Sequence, residues 1–97
     1  MLTKPPHEVS REIGKFILSR HVASYMELET YAFNNDKHDW LWLLKHYRKY
    51  RQHFVYVFQG MRQKGMKNYR NDYQTALELN LKACEAYYAR NGFNGSD

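Results

Sequence analysis

The chain has 97 residues, one cysteine and a formal net charge of +5, from 15 Lys and Arg against 10 Asp and Glu. That length suits one domain with little core to spare, and a lone cysteine excludes an internal disulfide. The longest apolar run, Trp40 to Leu44, is far too short to span a bilayer, and the start, MLTKPPHEVSREIGK, holds no signal-peptide hydrophobic segment, so the expectation is a cytoplasmic protein with no membrane contact.

Residues 1–6 read as an extended arm, because Pro5 and Pro6 disfavour helix before them, while Pro6 suits a first helical turn. From His7 the apolar positions Val9, Ile13, Phe16 and Ile17 give a helical face that continues through Tyr25, Leu28 and Ala32. Residues 7–33 are therefore expected as one bent helix. The alternative is two helices broken near Ser19–Ser24, for which Ser24 and Glu27 have capping-box spacing. Asn34, Asn35 and Asp36 make a short polar turn, with Asp36 as the expected N-cap of the next helix.

Residues 38–64 are expected as one long central helix. Trp40, Tyr47, Phe54 and Met61 recur every seven positions, and Leu43, Tyr50 and Val57 form a second row three residues on. Leu44 and Phe58 widen the stripe, as a helix of a globular bundle requires. Gly65 is the expected C′ residue. GMKNYRN then reads as a connection, with Asn71 and Gln74 as the capping box of a third helix. That helix buries Tyr73, Leu77, Leu81, Cys84 and Tyr88, flanked by Ala76 and Tyr87. It stops at Arg90, Asn91 and Gly92, and residues 92–97 form a frayed tail. The fold expected is all-α: a small antiparallel three-helix bundle, or four helices if the first segment is broken.

Charge is unevenly placed. Residues 1–36 carry four bases and five acids, 37–70 carry nine bases and one acid, and 71–97 carry two bases and four acids. The formal sums are −1, +8 and −2, so the whole excess lies in the middle third. Within 45–53, KHYRKYRQH, there are four bases, two histidines and no acid. A merely solvated helix face mixes signs, with glutamates four residues before lysines; here the glutamates are missing. The residues expected to meet nucleic acid or an acidic partner are Lys45, Arg48, Lys49, Arg51, Arg62, Lys64, Lys67 and Arg70. Lysine and arginine neutralise phosphates and release counterions. Trp42, Tyr56 and Tyr69 are candidate aromatic contacts, since an exposed ring stacks on unpaired bases. Packing against the first helix is the competing reading for those rings. No helix-turn-helix spacing or known RNA-binding motif is visible, so base-specific reading has no support.

Catalytic and metal chemistry finds little footing. None of His7, His21, His38, His46 or His53 has a His, Cys, Asp or Glu three or four residues away, so no metal or cofactor is expected. Cys84 falls on an apolar helix face and reads as a small buried hydrophobe. The segment Arg48–His53, RKYRQH, resembles the Arg-x4-His motif of the HEPN family of all-helical, metal-independent ribonucleases. That resemblance implies Arg48 and His53 as a catalytic pair in a dimer. It covers these six residues, and Lys49 stands where the family typically has a small polar residue.

Two functions from different classes follow. The first is a non-enzymatic protein that lays its basic helix along a nucleic-acid backbone. The second is an adaptor or inhibitor of the kind phages use on host machinery, meeting an acidic surface on a larger protein with its basic stripe and aromatic anchors. A homodimer is compatible with both, and a HEPN-like ribonuclease is the remote third.

Overall fold

The computed structural model describes residues 2–20, 22–64 and 66–92, with side chains over 2–20, 22–59, 74–75 and 77–92. Among these the chain forms five α-helices and no strand: α1 Pro6–Arg20, α2 Tyr25–Asn34, α3 His38–His46, α4 Arg48–Lys64 and α5 Met66–Asn91. The Cα extents are 37 × 31 × 17 Å. Helices pack about 8–10 Å apart, so the thin dimension accommodates two layers.

The first segment is two helices, not one bent helix. The backbone N–H of Glu27 donates to Ser24 Oγ at 3.1 Å, and that of Ala23 donates to Glu27 Oε2 at 3.2 Å. These bonds satisfy donors that a helix start leaves free, which makes a second start at Tyr25 inexpensive. Upstream, Pro6 opens α1, with the N–H groups of Glu8 and Val9 donating to Pro5 O. The arm before it is tied down: Thr3 donates from its backbone N and its Oγ1 to the two carboxylate oxygens of Asp39, at 3.1 and 2.6 Å. Those bonds hold the Asp39 carboxyl below the usual carboxylate range.

Asp36 is not the N-cap of the central segment. Its φ of 54° places it in the left-handed region, and the N–H of Lys37 returns to Ala32 O at 2.9 Å. That closure ends α2 in the manner of a Schellman turn, and Lys37 becomes the N-cap of α3 without a side-chain bond.

The central segment is broken at Tyr47, whose ψ of 86° leaves the helical region. The N–H of Tyr47 still donates to Leu43 O, and Arg51 N–H donates to Tyr47 O, so one non-helical residue separates two regular helices. No Pro or Gly lies nearby; the cause is tertiary. Tyr47 and Tyr50 both pack on Tyr88 of α5, with ring centroids 5.3 Å away in each case, one edge-on and one stacked. The Tyr88 hydroxyl accepts the Lys49 backbone N–H at 3.1 Å, taking over a donor that the start of α4 cannot satisfy within the helix. At the far end, α5 begins at Met66 rather than at Asn71, which lies within it. The expected connection is helical because MKNYR contains no breaker.

The expected stripes survive these breaks. Trp40, Leu43, Leu44, Tyr47, Tyr50, Phe54, Val57 and Phe58 are buried with Val9, Ile13, Ile17, Leu28 and Ala32, and with Leu77, Leu81, Cys84 and Tyr88 from α5. Met61 and Tyr73, expected in the same core, and Ala76, expected to flank it, lie outside the described side chains, as Gly65 lies outside the described residues. Gly14 lets α1 approach α5: a Cβ there would sit 3.2 Å from Leu77 Cδ2 and 3.5 Å from Leu81 Cδ1. Gly92, with φ of 82°, ends α5, its N–H donating to Tyr88 O.

Candidate nucleic-acid interface

The first turns of α4 place their side chains by helical spacing. Tyr47, Tyr50, Phe54 and Val57 take the buried side, which leaves Arg48, Lys49, Arg51, Gln52 and Tyr56 on the outer arc. Tyr56 is 67% exposed, unlike the buried Tyr50 of α4 and Tyr88 of α5. It forms a shared wall between two open hollows. One, of about 340 Å³, is lined by Arg48, Arg51, Gln52, Val55 and Tyr56. The other, of about 300 Å³, runs along the α4–α5 groove, where Lys49, Gln52, His53 and Tyr56 face Asn80, Tyr87 and Arg90. Gln52 and Tyr56 belong to both.

Among the described residues, no carboxylate forms an ion pair with the cations here. The ion pairs among the described residues are Lys4–Glu12 at 2.9 Å and Arg11–Glu85 at 3.0 Å, and neither uses Lys45, Arg48, Lys49, Arg51 or Arg90. Lys49 Nζ stands 5.0 Å from the Tyr87 ring centroid, a cation–π contact that orients the ammonium without neutralising it. Arg51 lies near Tyr25 of α2. Burial pushes that phenol up to about 12, with Glu29 adding to the rise and Arg51 opposing it.

His53 lines the second hollow but is only 5% exposed, and neither ring nitrogen has a hydrogen-bond partner. Burial pulls its imidazole down to about 4, so the ring is neutral at neutral pH. Cys84 beneath it is buried, its Sγ 3.6 Å from Lys49 O, and burial pushes the thiol up to about 11 against the opposing pull of Lys49. A thiol held in that state is a poor nucleophile. Arg48 and His53 line different hollows, on either side of Tyr56. Among the described residues no three His, Cys, Asp or Glu side chains converge as a metal site would need, and no helix is long and apolar enough to cross a membrane.

Four of the expected contact residues are thus brought together: Arg48, Lys49, Arg51 and Tyr56. Lys45 and Trp42 belong to α3, across the break, and line neither hollow; Trp42 is 40% exposed, with its ring centroid 4.0 Å from that of His46. The side chains of Arg62, Lys64, Lys67, Tyr69 and Arg70 lie outside the described residues. Asn80, Tyr87 and Arg90 join the site without any local signal. Arg90 reads in sequence as a helix C-terminal charge, and its role depends on the end of α5 lying beside the start of α4. No protein-family model, curated protein or solved structure matches the chain.

Proposed function

We propose that this protein is a non-enzymatic binder of nucleic acid, holding the phosphate backbone against the outer arc of α4. The observation that carries the reading is the grouping of Arg48, Lys49, Arg51 and Arg90 around two adjoining hollows, with no ion pair among the described residues taking any of them. An arc of unneutralised cations over a concave surface attracts a polyanion and releases its counterions. The test is fluorescence anisotropy with labelled single strands and duplexes at increasing salt. Affinity should fall steeply between about 50 and 200 mM salt. Replacing Arg48, Lys49 and Arg51 together by Ala should reduce the slope of log affinity against log salt by about 2 to 3, at about 0.7–0.9 per contact. A protein that binds neither form at low salt does not have this function.

A second reading, an adaptor or inhibitor docking on an acidic protein surface, is favoured by the exposed Met26 and Phe33 of α2. Those side chains offer nothing to a phosphate backbone. Pull-down from nuclease-treated lysate separates the two: a retained stoichiometric protein supports the adaptor, and loss of every partner supports the nucleic-acid reading.

A further inference from the structure

We propose that the ligand of this face is single-stranded, and that an unpaired base stacks on the ring of Tyr56 with backbone phosphates held by the cations on either side. The inference rests on the nucleic-acid reading above and adds the form of the ligand.

Tyr56 is the odd member of the tyrosine set around α4. Tyr50 and Tyr88 stack on each other in the core, whereas Tyr56 stands mostly in solvent between two concavities. A solvated tyrosine gains little for the fold, so its ring is free to offer a flat apolar face. Cations lie on both sides of it: Arg48 and Arg51 at the first hollow, Lys49 and Arg90 at the second. Arg48 and Tyr56 are eight residues apart, about 12 Å along the helix at 1.5 Å per residue. A strand that lies along the first turns of α4 therefore reaches the ring within about 12 Å of these cations. The hollows, each about 300 Å³ or slightly more, sit at the small end of ligand pockets, roughly 300–1,000 Å³. Gln52, which borders both, supplies an amide donor and acceptor suited to an exposed base edge. Tyr87 adds a second ring to that hollow.

Duplex fits this arrangement poorly. Its bases are already stacked on one another, so Tyr56 finds no free π-face, and a ring standing between the phosphate-binding cations intrudes on a regular backbone. Stacking on one aromatic side chain strengthens single-strand binding by roughly 5- to 150-fold and is tolerant of sequence because every base has a π-face.

The decisive comparison uses a thymidine oligonucleotide, an abasic strand of the same length and charge, and a duplex of that length, at one salt concentration. The thymidine strand should bind about 10-fold or more tighter than the abasic one, and tighter than duplex. Tyr56→Leu should bring the thymidine strand down to the abasic level, with Tyr56→Phe retaining most of the affinity. Equal binding of thymidine and abasic strands, or tighter binding of duplex, overturns the stacking while leaving the backbone reading intact. No binding of any probe overturns both. The abasic comparison uses the unaltered protein, so it decides the matter whether or not the variants fold.

Discussion

The Tyr88 hydroxyl accepts the backbone N–H of Lys49 at 3.1 Å, so a side chain near the end of α5 caps the start of α4. This contact joins the two halves of the candidate site. It holds the break at Tyr47 open, and it fixes the groove in which Lys49 and Arg90 face the same hollow. A partly buried N–H left without its acceptor costs about 1–3 kcal/mol. Tyr88→Phe, which keeps the ring against Tyr47 and Tyr50, should therefore lose about that much stability in chemical denaturation. Unchanged stability would show that solvent serves the Lys49 N–H equally well.

The buried imidazole of His53 makes stability depend on pH. Its folded-state value, about 4, lies below the ordinary 6.5, so the unfolded chain binds more protons between those values. Stability is then fully present above about pH 6.5 and falls as pH drops toward 4. Burial is the cause of that shift; the charged groups lining its hollow are Lys49 and Arg90, and Cys84 stays neutral there. A shift of this size corresponds to something on the order of 3 kcal/mol. His53→Leu should flatten that part of the curve relative to the wild type, as read from denaturation midpoints at pH 7, 6, 5 and 4.5. Parallel curves would place the imidazole in contact with water after all.

At Gly14, α1 lies close against α5. With its absent Cβ already only 3.2 Å from Leu77 Cδ2, Gly14→Val should overpack the interface and cost about 1–3 kcal/mol. In a domain of this size that lowers the melting temperature by about 4–8 °C per kcal/mol. Gly14→Ala gains about 1 kcal/mol of helix propensity, which offsets part of the crowding, so it should fall close to the wild type. Equal melting temperatures for the valine variant and the wild type would mean that Leu77 swings clear.

The core was legible in the sequence, and the breaks were not. The rows Trp40–Tyr47–Phe54 and Leu43–Tyr50–Val57 are all buried, because a three-and-four spacing tolerates one non-helical residue without losing its side. That same tolerance hides the break at Tyr47, whose cause is Tyr88, some forty positions away. Ser24 and Glu27 do signal the start of α2 locally, but the apolar positions run on across the gap and argue for a bent helix; the capping pair gives the correct reading. Asp36 misleads because an acidic residue before a helix also suits the left-handed end of the preceding one. In the candidate site, Arg48, Lys49 and Arg51 stand out by charge density alone. Asn80, Tyr87 and Arg90 do not, since their membership is a fact of α5 lying beside α4.

The most direct test of the account is a map of amide chemical shifts in ¹⁵N-labelled protein as a thymidine oligonucleotide is added. The largest changes should cluster at residues 48–56 of α4 and at Asn80, Tyr87 and Arg90 of α5, and should be absent from the outer face of α2. Shifts centred on Met26 and Phe33, or none at saturating oligonucleotide, would contradict a nucleic-acid interface on this arc.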